Sequence, residues 1–511
     1  MPSIGFSINM KYIHYITVLV FIALFSCKSE GQGRDVRKTI SLNPNWKTIV
    51  LDSLKEAESD FVNNLKTDAL WKQVSVPHNW DQYYGYRRIS HGNLHGTAWY
   101  QKTLELDSSN KGKQHFLFFE GVGSYATVWV NGKRVGEHKG GRTTFTLDIT
   151  DAIHFGSENS IVVKAEHPAF IADLPWVCGG CSGEWGFSEG SQPMGIFRPV
   201  SLVITNKVRI EPFGVHIWND DTTSKAKALL HVSTELKNYG HSSKNITVVN
   251  ALLDEDGNEV HNVSSSKEIK QTLPEISNPR LWSPENPYLY TLSTKIYENG
   301  TLMDALTTPY GIRWVSWPVT REGDDNRFFL NDKPVFINGT CEYEHLIGKS
   351  HSFSDIEIKT RIEQVKAAGY NAFREGHQPH NLKYQELLDE AGILFWSQFS
   401  AHIWYDTPEF KENFKTLLKD WIKERRNNPS VVMWGVQYES TIPKEFAESC
   451  AQIIRELDPT SAKQRIVTTC NGGEGTDWNV VQNWSGTYGG DPFNYGEELT
   501  EQLLNGEYGA W

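Results

Sequence analysis

The chain has no long run of basic residues, few cysteines and only one long apolar run. Acidic residues outnumber basic ones by 62 to 50, which gives a formal net charge of −12 over 511 residues. Such a chain does not attract phosphate backbones or anionic membrane surfaces, so no nucleic-acid partner is expected. A chain of this length is too long for one core, and two to four domains are expected.

The apolar run lies near the N-terminus. Lys11 precedes the stretch from Tyr15 to Phe25, which is long enough for the core of a signal peptide and too short to span a bilayer. It ends in Leu24-Phe25-Ser26-Cys27, which resembles a bacterial lipobox. We therefore predict that residues 1–27 are a targeting segment and that Cys27 carries a lipid anchor on an exported, periplasmic or cell-surface protein. An ordinary cleaved signal peptide is the alternative. No other stretch of the sequence is expected to cross a membrane.

Six cysteines are present, and five remain after Cys27. In an oxidising compartment Cys178 and Cys181 are candidates for a small disulfide loop, with free thiols as the alternative. A zinc site would need two more ligands of suitable spacing, and none stands out nearby. The remaining three are scattered and are predicted to be small core residues: Cys341, Cys450 and Cys470.

Residues 28–313 are predicted to be β-structure in two domains. Between Leu42 and Ile204 short strands alternate with Gly, Asn and Asp turns, and Asn131-Gly132 predicts a hairpin because both turn positions need positive φ. This pattern is typical of a sandwich or jelly roll, placed at residues 28–205. The Gly-rich stretch 178–195 interrupts it as a long loop that is expected to reach toward a neighbouring site. Residues 206–313 fit an immunoglobulin-like β-sandwich.

Residues 314–511 change to alternating strands and helices, which implies a parallel sheet. Helices are predicted after the capping box at Ser354, at Leu382–Ala391, after Pro408 and at Pro443–Leu457. The predicted strands are Val335–Asn338, Asn371–Phe373, Ile393–Ser397, the run from Val431, Ile466–Thr469, Val480–Asn483 and Leu504–Glu507. A closed barrel needs eight strands and we count seven, so we expect the sequence to be a fragment that lacks the last βα unit.

Two of these strands end on a glutamate. Glu439 follows the apolar run Val431–Trp434, and Glu507 lies at the end of the last strand. Parallel strands of α/β barrels deliver their C-terminal residues to one active site. Two carboxylates in such a position suggest acid–base and nucleophilic cleavage of a glycosidic bond. A solvated loop carboxylate is the alternative, and it explains a Glu directly after a buried strand poorly.

An ordered set of motifs runs along the chain, and together the motifs resemble glycoside hydrolase family 2, which includes β-galactosidases, β-glucuronidases and β-mannosidases. The resemblance implies a jelly-roll sugar-binding domain, an immunoglobulin-like β-sandwich and a (β/α)8 TIM barrel. The motifs are Val76-Pro77-His78-Asn79-Trp80, Ala98-Trp99-Tyr100, Gly195-Ile196-Phe197-Arg198-Pro199, Tyr310-Gly311-Ile312-Arg313, Arg374-Glu375-Gly376-His377-Gln378-Pro379, Asn428-Pro429-Ser430 through Glu439-Ser440, and Gly506-Glu507-Tyr508-Gly509.

The resemblance also implies roles for the two glutamates. Glu439, after strand four, matches the general acid/base, and Glu507, after strand seven, matches the nucleophile. A retaining mechanism needs the two carboxyl groups roughly 5–5.5 Å apart, one protonated and the other ionised. Arg374 is expected to keep Glu507 charged, and burial against Trp434 is expected to raise the pKa of Glu439.

Further residues match substrate-contacting positions after strands one and two. Arg374 and His377 are expected to orient the nucleophile and a sugar hydroxyl, with a structural ion pair at the barrel rim as the alternative. Glu342, Glu344 and His345 follow strand one in a polar motif that departs from the family's commonest form, so their roles stay open.

Four more candidates lie near the end of the chain. Asn483, Trp484 and Tyr488 follow strand six, where Tyr488 either donates a hydrogen bond to Glu507 or only packs. Trp511 is either a sugar platform or a frayed terminal residue.

Two departures from the family pattern bear on activity. Tyr438 stands where the family carries an Asn that binds the sugar's 2-hydroxyl, and a tyrosine is larger and lacks the paired amide groups. The stretch Ser400-Ala401-His402 stands where the β-galactosidase branch has a metal-binding Glu, so no catalytic metal and no other cofactor is expected.

Two functions follow as hypotheses. The first is a retaining exo-β-glycosidase, β-galactosidase-like, that hydrolyses terminal β-linked sugars of glycosides or oligosaccharides. The alternative is a catalytically impaired carbohydrate-binding protein, because of Tyr438 and the incomplete barrel. A purely structural surface protein leaves both strand-end glutamates unexplained.

Overall fold

The first domain is a sandwich of two antiparallel β-sheets in the computed structural model, which describes residues 36–54, 57–65, 70–82, 94–176, 193–240, 245–266, 269–317, 325, 327–440, 442–482 and 504–507. Asn131 and Gly132 have φ of 51° and 79°, which confirms the predicted hairpin turn. One sheet has the strand order Arg37–Ser41, Val200–Thr205, Gln114–Phe119, Phe145–Asp148, and the other Lys72–Val74, Trp46–Val50, Gly96–Glu105, Glu158–His167, Tyr125–Val130, Lys133–Lys139. The short helix Glu58–Asn63 follows the second strand of the chain.

The second domain is the predicted immunoglobulin-like sandwich. Its inner residues alternate along the strands, and Ile217, Val232 and Leu292 are fully buried in one cluster between the sheets. One sheet has the order Val208–Asn219, Leu230–Asn238, Lys270–Thr272, and the other Glu259–Ser265, Ile246–Leu253, Tyr290–Glu298, Thr301–Tyr310. Short paired strands complete it: Lys227–Ala228 with Ile276–Ser277, and Trp282–Ser283 with Asn286–Pro287.

The third domain is built on a parallel sheet flanked by helices, as the alternating pattern predicts. The six described strands pair in chain order: β1 (Gly339–Tyr343), β2 (Ala372–Gly376), β3 (Leu394–Gln398), β4 (Val431–Tyr438), β5 (Ile466–Cys470) and β6 (Trp478–Val480). The helices are α1 (Asp355–Ala367), α2 (Leu382–Ala391), α3 (Pro408–Arg425) and α4 (Lys444–Leu457). The entrance carries a small sheet of Val315–Ser316, Phe329–Leu330 and Lys333–Pro334.

Local signals set the helix ends. The capping box at Ser354 is formed, with the Ser354 amide donating to Oε2 of Glu357 at 2.8 Å. Helix α2 ends at Gly392, which adopts the left-handed φ of 71° that closes a helix without a Cβ penalty. Thr407 caps α3 by accepting from the amide of Phe410.

The strand positions differ from the predicted ones at both ends of the sheet. The predicted strand at 335–338 was wrong, because β1 begins only at Gly339. Val335 and Ile337 pack against the apolar cluster that includes Trp396 and Met433. The strand β6 ends at Val480, where the prediction placed its start.

The predicted seventh strand at Leu504–Glu507 was also wrong. Among the described residues this segment forms no ladder with the sheet; it is joined to the residue after β6 by one backbone hydrogen bond, from Gly506 to Val481 at 2.8 Å. Residues 483–503 lie outside the described part of the chain.

Residues 171–176 of the first domain pack against the third domain. Ile171, Leu174 and Trp176 belong to the same buried cluster as the helices around the parallel sheet. Ser400, which follows β3, donates to the carbonyl of Pro175 at 2.7 Å, and Trp176 donates to the carbonyl of Phe399. The start of the long connection in the first domain therefore supports the segment after β3, while the predicted loop at 178–195 lies mostly outside the described residues.

A buried ion pair holds β4 on the side of the strand that faces the helices. Asp458 accepts from Nη1 of Arg465 at 3.0 Å and from the indole nitrogen of Trp434 at 2.9 Å. Trp434 is fully buried against Trp421 of α3, so it faces the helices. The prediction that Trp434 shields Glu439 was wrong, because this side of β4 points away from the barrel mouth.

Removal of the anchor is expected to destabilise the protein strongly. Asp458→Ala leaves the buried Arg465 guanidinium without its counter-ion, which costs about 3–5 kcal/mol in the free energy of unfolding. Urea unfolding followed by tryptophan fluorescence measures this. The matched control is Asp221→Ala, which removes an exposed ion pair to Lys463 and should change the free energy of unfolding by less than about 0.5 kcal/mol. Equal losses in the two variants would contradict the anchoring role.

Candidate active site

Glu439 directly follows β4 and is held in an unusual backbone conformation. Its φ of 41° lies in the left-handed region, which is uncommon for a residue with a Cβ and is typical of functional turns. Its amide donates to the carbonyl of Cys470 at the end of β5, at 2.9 Å. The chain turns at this contact, at the end of the strand, and the Glu439 carboxyl group is half-buried there.

His402 is a basic side chain that contacts Glu439. Nδ1 of His402 lies 3.5 Å from Oε2 of Glu439, and His402 also has a left-handed φ, of 60°. Burial raises the pKa of Glu439, the neighbouring Glu507 charge raises it further, and His402 opposes both. The net direction is upward, so the environment favours the protonated acid.

Glu507 is in the opposite environment, facing a permanent cation. Nη1 of Arg374, on β2, lies 3.3 Å from Oε1 of Glu507 and also donates to the carbonyl of Gly506. The guanidinium is buried between two rings, with its carbon 4.6 Å from the ring centre of Trp396 and 4.7 Å from that of Tyr438. Arg374 therefore holds both the carboxylate and the backbone next to it.

His377 makes the second contact to Glu507, and Gln398 fixes which nitrogen carries the proton. When the Gln398 amide is oriented to satisfy both its groups, its nitrogen donates to Nδ1 of His377 at 2.9 Å and its oxygen accepts from Nε of Arg374 at 3.2 Å. Nδ1 is then unprotonated, so Nε2 carries the hydrogen, and it lies 3.3 Å from Oε1 of Glu507. Burial, reinforced by the charge of Arg374, holds the pKa of His377 well below its usual range, so the ring is neutral.

Tyr438, the last residue of β4, packs against the side chains that contact the two glutamates. Its ring stacks on His377 with centroids 3.8 Å apart and an 11° angle between planes. The Arg374 guanidinium carbon lies 4.7 Å from the centre of this ring, and the ring of His402 contacts it edge-on with the ring centres 5.2 Å apart. The residue that the sequence marked as a departure is thus at the centre of the site.

Strand β1 contributes a thiol and a ring. Cys341 lines a cavity of about 110 Å³ at the sheet, so the prediction of a core residue was wrong for it, whereas Cys450 and Cys470 are buried as predicted. The cavity exposes part of Cys341 to solvent, yet desolvation by the surrounding protein atoms raises the pKa of its thiol to about 12. The ring of Tyr343 contacts that of His377 edge-on, with the two ring centres 5.3 Å apart.

One group in the described part of the chain has metal-ligand geometry. Cys341, His377 and Glu507 each place a possible ligand atom within 4.8 Å of the others. The thiol stays protonated at neutral pH, and the other two atoms already face each other in the contact described above. The expectation that no metal takes part in catalysis stays a prediction.

The other strand-one candidates do not converge on the two glutamates. Glu342 lies inside β1, not after it as predicted, and its carboxylate lies 3.1 Å from Nε of Arg361 on α1. Glu344 is buried, 3.1 Å from Nη2 of Arg198 of the first domain, and has a structural position. His345 stacks on Tyr343 at 5.4 Å, so it borders the site through that ring.

Several predicted residues lie outside the described part of the chain. They are Cys27, Cys178, Cys181, Asn483, Trp484, Tyr488 and Trp511, and their predicted roles stay predictions. Among the described helices none has both the length and the apolar character needed to cross a bilayer.

Sequence reasoning missed three side chains that shape the site. Gln398 and His402 lie at and just beyond the C-terminal end of β3, where the same strand-end rule that found Glu439 would have found them. Cys341 follows from no rule of this kind, because its inward direction depends on the register of β1.

Models of one family match the chain in order. The sugar-binding domain of glycosyl hydrolases family 2 matches residues 40–206, the family 2 domain matches residues 208–313, and the family 2 TIM barrel domain matches residues 322–503.

Similar proteins include glycosidases of Bacteroides species. A β-glucuronidase of Bacteroides fragilis is 28% identical over 92% of this chain and 67% of its own length. A β-galactosidase of Bacteroides ovatus is 28% identical over 79% of this chain and 46% of its own. Among solved structures, a putative β-galactosidase from Bacteroides fragilis has a TM-score of 0.77 and 25% identity, over 93% of this chain and 72% of that one. The chain thus spans between 46% and 72% of these relatives.

The three matches cover both sandwiches and the parallel sheet, and they agree with the observed order of domains. The chain belongs to family 2 of the glycosyl hydrolases.

Proposed function

We propose that this protein is a retaining exo-β-glycosidase, with Glu439 as general acid/base and Glu507 as nucleophile. The observation that carries the proposal is the placing of the two glutamates on neighbouring side chains: Glu507 lies 3.3 Å from Arg374 and from His377, and Glu439 lies 3.5 Å from His402, whose ring contacts that of His377. Retaining glycosidases need about 5–5.5 Å, whereas inverting ones need room for a water between the carboxyl groups.

The two environments support opposite roles for the carboxyl groups. Glu507 faces Arg374 and the N–H of a neutral His377, which stabilise a carboxylate. Burial raises the pKa of Glu439, which favours the acid form that can protonate a leaving group. One carboxyl group that favours its acid form, beside a second one that faces a cation, is the arrangement that acid and nucleophile require.

The chemistry then follows in two steps. Glu439 gives its proton to the glycosidic oxygen while Glu507 attacks the anomeric carbon, and the aglycone leaves. Glu439, now ionised, takes a proton from a water that attacks the same carbon and releases Glu507. Net retention results from two displacements on opposite faces of the ring.

The substrate class is proposed from the relatives. One is named a β-glucuronidase and another a β-galactosidase, at the same identity to this chain. A terminal β-linked sugar is common to both names, and a galactoside stays our prediction for the sugar. The substrate panel therefore includes aryl β-galactosides and aryl β-glucuronides.

A second candidate function is carbohydrate binding without turnover. It is favoured by Tyr438, which is buried at the end of β4 and stands where the family pattern has an Asn that binds the sugar. Calorimetric binding of a sugar, with no release of aglycone from any aryl glycoside, would support this second function and reject the first.

Substitution of each glutamate tests the proposed roles. Glu507→Gln should abolish release of nitrophenol from the active substrate. Glu439→Gln should slow release by about 10²–10⁴-fold, because general acid–base catalysis contributes that much. The loss for Glu439→Gln should be smaller for dinitrophenyl glycosides, whose leaving group needs no proton, and azide should then yield the β-glycosyl azide. The control is Glu342→Gln on β1, whose carboxylate faces Arg361. Unchanged rates in both test variants would reject the assignment.

The pH dependence tests the electrostatic argument. His402 lowers the pKa of Glu439, so His402→Asn should raise it. The acid form of Glu439 then persists to higher pH, and the alkaline limb of kcat/KM should move upward by about one pH unit. His231→Asn is the control, because it removes a similar His–carboxylate pair, at 3.8 Å from Asp220, in the second domain. A downward shift, or the same shift in both variants, would contradict the direction of this interaction.

A further inference from the structure

Three possible metal ligands of different chemistry meet beside the end of the parallel sheet. Sγ of Cys341 on β1, Nε2 of His377 after β2 and Oε1 of Glu507 each lie within 4.8 Å of the other two. The imidazole nitrogen and the carboxylate oxygen are 3.3 Å apart. The proposed reaction uses the carboxylate and the imidazole, and it gives the thiol no role.

The spacing of these atoms is close to that of ligands on a tetrahedral zinc ion. Zinc binds nitrogen and oxygen at about 2.0–2.2 Å and sulfur at about 2.3 Å, so two of its ligands are about 3.3–3.7 Å apart. His377 and Glu507 already have this separation. The thiol reaches it with a closure of at most about 1.5 Å, shared among three side chains. A sulfur, a nitrogen and an oxygen together suit zinc, whereas magnesium and calcium prefer oxygen alone.

The imidazole ring of His377 is held in place before an ion arrives. It stacks on Tyr438 with centroids 3.8 Å apart, and Tyr343 contacts it edge-on. Burial, reinforced by the charge of Arg374, holds the pKa of His377 well below its usual range, so the ring is neutral. Neutral imidazole is the form that binds metal ions.

Gln398 decides whether Nε2 of His377 can accept a metal ion. The Gln398 amide lies 2.9 Å from Nδ1 in both of its orientations. With its nitrogen toward the ring, Nε2 carries the hydrogen. With its oxygen toward the ring, Nδ1 donates to that oxygen and Nε2 has a free lone pair, as in most metal-bound histidines. Zinc binding therefore requires the amide to turn over, which points its nitrogen at Arg374 and lowers the affinity.

The charges around the three atoms permit a cation at moderate affinity. Nη1 of Arg374 is 3.3 Å from the same Oε1 of Glu507, and a carboxylate has about four lone-pair positions, so a guanidinium and an ion can share it. Zinc deprotonates a thiol that it binds, so Zn²⁺ releases one proton from Cys341 and adds one net positive charge. Three protein ligands and a water are the pattern of open zinc sites, not of closed structural ones.

An ion can reach the three residues from solvent. Cys341 lines the cavity of about 110 Å³ together with Arg374 and Gly506, and part of Cys341 is exposed. The Glu507 side chain retains 15% of its exposure. The thiol and the carboxylate therefore both have an open side.

We propose that Cys341, His377 and Glu507 form an inhibitory zinc site. The site itself stands on the geometry, whereas its inhibitory effect rests on the proposed function. Zinc on Oε1 of Glu507 engages the electron pair with which this carboxylate attacks the anomeric carbon. The ion and a glycoside therefore compete for Glu507.

Cobalt binding tests the site without any substrate. Co²⁺ occupies zinc sites, and its bond to a thiolate gives a charge-transfer band in the near ultraviolet. Metal-free wild-type protein should develop this band on titration with Co²⁺, and Zn²⁺ should remove it. Cys341→Ala should lose the band, while Cys450→Ala, which changes a buried thiol on α4, should keep it. No band in wild type, or a band of equal size in Cys341→Ala, would overturn the proposal.

Inhibition of turnover tests the consequence. Zn²⁺ should raise the KM of wild type for the active aryl glycoside and leave kcat unchanged, and EDTA should restore the KM. Mg²⁺ and Ca²⁺ should not have this effect. Relative to each variant's own metal-free rate, the zinc concentration for half-inhibition should rise at least about 10-fold in Cys341→Ala and match wild type in Cys450→Ala. Equal zinc sensitivity of Cys341→Ala and wild type would contradict the assignment.

A second variant keeps the test sharp if Cys341→Ala does not fold. Gln398→Glu offers the Nδ1 hydrogen of His377 an acceptor without any amide that must turn over, so Co²⁺ and Zn²⁺ should bind about 10-fold more tightly. Unchanged or weaker binding in Gln398→Glu would overturn the role given to Nε2.

The outcomes separate this inference from the proposed function. If wild type turns over no glycoside, the proposed function fails, while the cobalt titration of Cys341→Ala still decides whether the site exists. If wild type is active and binds Co²⁺ through Cys341, but Zn²⁺ leaves the KM unchanged, the proposed function stands and the inhibitory site is rejected.

Discussion

The contact between Arg374 and Glu507 is the constraint around which the rest of the site is arranged. A half-buried carboxylate must be paired and hydrogen-bonded to stay ionised, and Arg374 supplies both a charge at 3.3 Å and a hydrogen bond to the adjacent carbonyl. The guanidinium is itself held between the rings of Trp396 and Tyr438. Three neighbouring strands, β2, β3 and β4, thus fix one cation, and that cation fixes the segment bearing Glu507.

Glu439 and Glu507 have the same side chain, but the protein places them in different environments. Glu507 meets a permanent cation and a neutral imidazole N–H, whereas Glu439 stands on a strained turn with His402 at 3.5 Å. The first domain supports the position of His402 indirectly. Ser400, which lies between β3 and His402, donates a hydrogen bond to the carbonyl of Pro175. The strands set the positions of the carboxyl groups, and the contacts between strands give the two groups different electrostatic surroundings.

Local sequence signals predicted what depends on a few adjacent residues. The capping box at Ser354, the helix end at Gly392 and the glutamate after β4 each follow from short-range rules, and the structure contains all three. Register could not be predicted in the same way, because a shift of one residue moves a side chain to the other face of the sheet. Trp434 was therefore placed on the wrong side, and Cys341 was assigned to the core. The roles of Gln398 and Tyr438 arise from contacts among three strands, which no single stretch encodes.

The most direct test of the central claim is to trap the covalent intermediate. A 2-deoxy-2-fluoro β-glycosyl fluoride of the active sugar slows both half-reactions and breakdown most of all, so a glycosyl-enzyme accumulates and peptide mass spectrometry locates the modified residue. The account predicts one sugar per chain, attached through an ester to Glu507, with β-configured product released on reactivation. Labelling of any other side chain, or turnover with inversion at the anomeric carbon, would contradict it.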